Sequence, residues 1–161
     1  MSIGHFLGGI AAIIRHPATN RYLLLRRSAQ KDFGAGKWEC VTGRVDQGES
    51  YEQALFREVQ EEIGVDVHLE FLLGTTHFYR GEPIPENELN GVVYCCALDD
   101  PDTIQMSHEH DAVEWLTAVQ LHTFLPQNHW MLPYIDRTEI LLAQTPPDLI
   151  KLFAKEGFDF F

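Results

Sequence analysis

Glu58, Glu61 and Glu62 carry the first chemical signal in this chain. On a helix their i, i+3 and i, i+4 spacing sets three carboxylates along one stripe. Each like-charge pair at that spacing costs about 0.2–0.5 kcal/mol in an isolated helix. A place near the helix C-terminus adds to the cost, because the macrodipole disfavours negative charge there. Arg57 pairs with Glu61 only in the weaker orientation and cannot neutralise three carboxylates. The segment from Gly43 to Val65 holds six acidic side chains and two basic ones. Two readings compete: a solvated acidic face, or a seat for a hard divalent cation such as Mg²⁺ or Mn²⁺. Spacing alone leaves both open.

The surrounding residues define the helix that carries them. Ser50 opens it, with Gln53 placed to complete a capping box, and Gly64 stands where a left-handed C-terminal cap belongs. Leu55, Phe56, Val59 and Ile63 then form the core stripe. The whole stretch "GRVDQGESYEQALFREVQEEIGV" fills every specified position of G-x5-E-x7-R-E-U-x-E-E-x-G-U, where U is aliphatic. Those positions are Gly43, Glu49, Arg57, Glu58, Val59, Glu61, Glu62, Gly64 and Val65.

This stretch resembles the signature of the Nudix hydrolases, and the resemblance extends roughly from Gly8 to Gln144. It implies an α/β (α+β) fold, an α/β/α sandwich around a mixed sheet. It also implies water attack on phosphorus in a nucleoside diphosphate linked to another group. Glu58, Glu61 and Glu62 are then metal ligands, with Glu58 a candidate general base and the Gly43 carbonyl a further ligand. Arg57 and Glu49 are expected to tie the loop to the helix. One to three divalent ions would neutralise the phosphates and acidify the attacking water, and neighbouring carboxylates would raise one another's pKa, which suits a base.

Outside the signature, Glu109 in "SHEHDAVEWL" resembles a Glu that supplies a further metal ligand or base in relatives that cleave nucleoside and pterin triphosphates. Glu114 is its rival, read as a solvated partner to core Val113 and Trp115. His108 and His110 read as polar loop residues, since two histidines without a third ligand are a weak zinc signal. Arg26 and Arg27 are candidates for contact with a substrate phosphate. Trp38 is a candidate stacking platform, and His77 and Tyr79 are candidates to line the substrate cleft. "WECVTGRVDQGE" is similar to the dihydroneopterin-triphosphate type of pyrophosphatase, so a triphosphate substrate comes first, with ADP-ribose or dinucleotides second. A non-catalytic nucleotide sensor is the alternative of another class. The intact signature favours the enzyme.

The elements that must hold these residues follow from pattern. "GGIAAIIRH" and "RYLLLRRS" are strands joined by a turn at Pro17–Asn20. "QKDFGAGKWECVTG" is a glycine-punctuated loop with a short strand near Trp38 to Val41. "VDVHLEFLLGTTHFY", "LNGVVYCCAL" and "AVEWL" are strands. "TAVQLHTFL" and "MLPYIDRTEILLAQ" are helices, and "PPDLIKLFAKEGFDFF" is one more short helix with an aromatic end, either core or a dimer contact.

With 161 residues, one domain is expected. A formal net charge of -12 argues against duplex nucleic acid or anionic membrane as a partner. A phosphorylated small molecule stays open, because a bound cation reverses the local sign. Cys40, Cys95 and Cys96 form no C-x-x-C pair; adjacent residues on a strand face opposite ways, so they read as reduced packing residues. "HFLGGIAAII" is too short to span a bilayer and lacks signal-peptide flanks. A cytoplasmic protein is expected. Oligomeric state is left open, a homodimer included.

Overall fold

A computed structural model describes residues 4–30 and 34–160. The expected glycine-punctuated loop thus lies partly outside the described residues, at positions 31–33. In chain order the strands are β1 (Leu7–His16), β2 (Arg21–Arg27), β3 (Trp38–Glu39), β4 (Val41–Arg44), β5 (His68–Tyr79), β6 (Glu88–Ala97) and β7 (His110–Thr117). The helices are α1 (Tyr51–Ile63), α2 (Ala118–Phe124), α3 (Leu132–Gln144) and α4 (Pro147–Glu156).

The sheet runs β3-β2-β1-β6-β5, with β4 also on β1 and β7 also on β2. β1 and β6 are parallel and the other pairings antiparallel, so the sheet is mixed. Alternation along β1 builds two cores, because successive side chains point to opposite faces. Ile10, Ala12 and Ile14 pack with Leu55, Val59 and Ile63 of α1. Ala11 and Ile13 pack with Leu121, Leu132 and Ile135 of α2 and α3. Helices therefore cover both faces, the expected α/β/α sandwich. Cys96 joins the first core and Cys95 the second, and both thiols are free.

Three details depart from the pattern reading. The short strand near Trp38 is two strands, since the chain changes partner at Cys40: Trp38–Glu39 pairs with β2 and Val41–Arg44 with β1. Phe56 is 39% exposed and lies outside the core stripe. Val113 is likewise exposed, because β7 is an edge strand with one neighbour.

β5 carries bulges that switch which residues face which core, so Leu69 packs with α1 while Phe71 and Leu73 pack on the other side. Glu70, at the switch, is buried and takes a two-point pair from Arg15 at 2.6 Å for each bond. The β5 edge is not left open. α4 lies along it, and the chain then turns back so that Phe158 packs against Tyr94. The Glu52 carboxylate fastens this return by accepting the backbone N–H groups of Phe158 and Asp159. Of the aromatic end, Phe158 is thus core, Phe160 is exposed, and Phe161 lies outside the described residues.

Candidate active site

α1 begins and ends where its local chemistry dictates. The Ser50 hydroxyl accepts the Gln53 N–H, and the Gln53 side chain accepts the Ser50 N–H. Gly64 closes the helix at φ 66°, a left-handed conformation that glycine adopts without Cβ strain. The helix lies over β4, and the three glutamates fall at graded depth. Glu62 is buried, Glu58 half-buried and Glu61 exposed. A Cβ at position 43 would sit 2.0 Å from Glu58 Cδ, so only glycine lets the Glu58 carboxylate rest on the β4 backbone.

Arg57 ties the loop to the helix. Its Nε and Nη2 donate to the two Glu49 carboxylate oxygens at 2.7 and 2.8 Å, and Nη2 also donates to the Arg44 carbonyl at 2.8 Å. Its Nη1 donates to Glu58 at 2.8 Å and to Glu61 at 3.3 Å. The Arg57 bond, followed by the Asp46 N–H, holds the Glu49 carboxyl down at about 2. Glu58 goes the other way: burial pushes its carboxyl up, against the pull of Arg57.

Glu62 is the most perturbed carboxyl of the three. Burial first, then the charges of Glu39, Glu58 and Glu109, push it up to about 9, with Arg27 opposing. Its Oε2 is buried and has no hydrogen-bond partner among the described residues. The Nδ1 of His110, 3.8 Å away, is also buried and unpartnered. An unpaired buried oxygen ringed by carboxylates is costly, and a hard cation is the ligand that relieves it. Among the described residues no three acidic or imidazole groups converge on one point. In this conformation Arg57 holds oxygens of Glu58 and Glu61.

Glu39 is a site neighbour that the sequence reading did not single out, and His110 is one that it placed in a polar loop. The pairing of β2 with both β3 and β7 brings them together. Arg27 Nη1 donates to Glu39 at 2.7 Å, and His110 Nε2 lies 3.2 Å from the same oxygen. His110 is therefore buried in the site wall and not a polar loop residue, whereas His108 is exposed. Glu39 was visible in the sequence upstream of Glu49 and Glu62, but its meaning depends on strand pairing.

Glu109 is half-buried, and its charge reaches Glu62. Its rival Glu114 is exposed on β7. The structure thus gathers Gly43, Glu49, Arg57, Glu58, Glu61, Glu62, Glu109 and Arg27 at one end of the sheet. Arg26, its neighbour on β2, points to the opposite face, where it pairs with Asp111 at 2.6 Å and lies 5.8 Å over the Trp38 ring. Trp38 is half-buried and meets Phe124 edge-on. His77 and Tyr79 are exposed on β5, and His77 bonds Glu88 at 3.0 Å. None of these four makes a hydrogen bond or ion pair with the acidic cluster. His77 instead lines a separate cleft of about 390 Å³ with Tyr51, Thr76 and Asn90.

The NUDIX domain family matches residues 6–138, and the chain belongs to the Nudix family. It is 32% identical over 145 residues to the CTP pyrophosphohydrolase of Escherichia coli (strain K12), covering 86% of this chain and 96% of that protein. It is 34% identical over 120 residues to the dihydroneopterin triphosphate diphosphatase of the same strain, covering 68% and 77%. The MutT protein from Methanosarcina mazei Go1 superposes with a TM-score of 0.71 at 23% identity, over 89% of this chain and 100% of that one. An octanoyltransferase from Myxococcus xanthus matches over 96 residues at 34% identity, but the chain spans only 26% of that protein. Like its family, the chain is a pyrophosphohydrolase of phosphoric anhydride bonds. No helix among the described residues is long and apolar enough to cross a membrane.

Proposed function

We propose that this hydrolase cleaves a phosphoric anhydride in a nucleoside triphosphate or pterin triphosphate, using Mg²⁺ or Mn²⁺. The observation that carries the metal reading is Glu62: a buried, unpartnered oxygen surrounded by the charges of Glu39, Glu58 and Glu109. Glu58, Glu61, Glu62 and Glu109, with the Gly43 carbonyl, would hold the cation. When bound, it supplies charge neutralisation of the phosphates and acidification of water.

The remaining chemistry falls to the chain. Water adds to phosphorus, the anhydride P–O bond breaks toward the leaving phosphate, and a carboxylate takes the water's proton. Glu58 suits that task, because its burial raises its affinity for a proton. Arg57 touches no reacting atom in this account. It fixes Glu58 and the β4 loop through Glu49 and the Arg44 carbonyl. Support for a triphosphate comes from the two Escherichia coli relatives, both named for triphosphate cleavage or CTP. ADP-ribose and dinucleotides rank second.

Two measurements test this. A Mn²⁺ titration followed by electron paramagnetic resonance should show binding by wild type, weakened at least tenfold in Glu62→Gln. A panel of CTP, other nucleoside triphosphates, dihydroneopterin triphosphate and ADP-ribose should give its highest kcat/KM with a triphosphate. Equal Mn²⁺ binding in both proteins, or a preference for ADP-ribose, would overturn the corresponding half.

A further inference from the structure

The helix that carries the glutamates is held at both ends by segments far from it in sequence. At its C-terminal end the carbonyls of Glu62 and Ile63 accept the N–H groups of Ser107 and Gln105 at 2.8 and 2.9 Å. At its N-terminal end the partner is the tail that follows α4. The Glu52 N–H donates to the Asp159 carboxylate at 3.0 Å, and the Glu52 carboxylate accepts the N–H groups of Phe158 and Asp159. This bonding is reciprocal, as in a capping box, but its partners are 106 and 107 residues apart.

A helix start leaves N–H groups that the helix itself cannot satisfy. The Ser50 hydroxyl takes that of Gln53, and Asp159 takes that of Glu52 from outside. A carboxylate there also complements the macrodipole. The tail is shaped for this contact. Gly157 turns the chain at φ 71°, and a Cβ there would overlap the Glu52 carboxylate. Phe158 meets Tyr94 and Phe153 with ring centroids 6.3 and 5.3 Å apart, and it packs on the same core as Tyr51. Covering that core needs only the Phe158 ring; the two-way bonding to Glu52 ties the tail to the helix itself. Glu58 and Glu62 lie about 9 and 15 Å further along the helix axis. A tilt at the first turn therefore displaces them, and repulsion among the glutamates opposes their crowding. Fixed ends keep them in register with the β4 backbone.

We propose that Glu52 and Asp159 form a latch that positions α1, and that the glutamates reach their cation-holding arrangement only with the tail docked. Both are positioning residues: they act through the helix and touch neither substrate nor cation. The catalytic consequence rests on the hydrolase reading above; the latch itself does not.

Full-length Asp159→Ala, Glu52→Ala and Gly157→Ala test the latch beside Asp159→Asn and Glu52→Gln, which keep an acceptor oxygen at each bond. Amide exchange followed by NMR, with EDTA present, reads the helix without metal or substrate. The three disruptive variants should speed exchange across residues 55–62 about tenfold, the effect of losing a helix cap, while the conservative pair stays close to wild type. Mn²⁺ titration followed by electron paramagnetic resonance should show affinity weakened about tenfold in the same three. Their kcat for a triphosphate should fall about tenfold with KM within a factor of about two. Faster exchange confined to residues 52–54 overturns the proposal. So does wild-type Mn²⁺ affinity and kcat in the folded disruptive variants, even with a lowered Tm, since the tail would then only cover the core. The two Asp159 variants leave the backbone turn intact, so they keep the test decisive if Gly157→Ala does not fold. No Mn²⁺ binding and no turnover by wild type, with exchange across residues 55–62 still raised in the variants, would sink the hydrolase reading and leave the latch standing.

Discussion

Replacing Glu62 by glutamine isolates the cost of burying a carboxyl among carboxylates. Burial, reinforced by Glu39, Glu58 and Glu109, pushes the Glu62 carboxyl from an ordinary 4.5 up to about 9. Between those values the folded protein keeps a proton that the unfolded chain has released. The contribution of Glu62 to stability is therefore full below pH 4.5 and declines as pH rises toward about 9. Each pH unit in that window is about 1.36 kcal/mol. From pH 6 to pH 8 wild type should thus lose about 2.7 kcal/mol relative to Glu62→Gln, whose amide does not titrate. Urea unfolding at several pH values, with EDTA present throughout, measures the difference directly. Parallel pH profiles for the two proteins would refute a proton held on a buried Glu62.

Other outcomes follow from the same geometry. Without EDTA, millimolar Mg²⁺ or Mn²⁺ should raise Tm, more at pH 8 than at pH 6, since cation and proton compete for Glu62; no shift at either pH would count against a cation site. Gly43→Ala places a methyl 2.0 Å from Glu58 Cδ, which should cost about 1–3 kcal/mol of stability and at least tenfold in kcat. Thermal unfolding and steady-state kinetics check both. Arg15→Ala strands the buried Glu70 carboxylate at the far end of β1, so it should cost about 3–5 kcal/mol with KM unchanged at temperatures where the protein stays folded. A KM shift there would show coupling that the sheet does not display.

The local parts of this site were legible because local rules decide them. Ser50, Gln53 and Gly64 bound α1 as capping chemistry requires, and the β1 alternation sorts its side chains into two cores. Phe56 was misplaced because it falls at the margin of the helix stripe, where one residue step of 100° separates core from solvent. The graded burial of Glu58, Glu61 and Glu62 was hidden for a related reason. Spacing puts all three on one side of α1, but β3 and β7 determine which of them is covered. Glu39 and His110 were illegible as site neighbours because residues 27, 39 and 110 meet only after β2 has paired both with β3 and with β7, far along the chain.

Anhydride cleavage by the crowded glutamates with a divalent cation is open to one direct test. Pyrophosphate release from CTP and from dihydroneopterin triphosphate, followed with Mg²⁺ on wild type and Glu61→Gln side by side, tests it most directly. Glu61 is exposed, so its variant should fold as wild type does. Mg²⁺-dependent release by wild type, lost on EDTA addition, is expected, with at least a hundredfold less from Glu61→Gln. Equal release by both proteins, or none by wild type while the nucleotide still binds and stabilises it, would contradict the account and favour a nucleotide sensor.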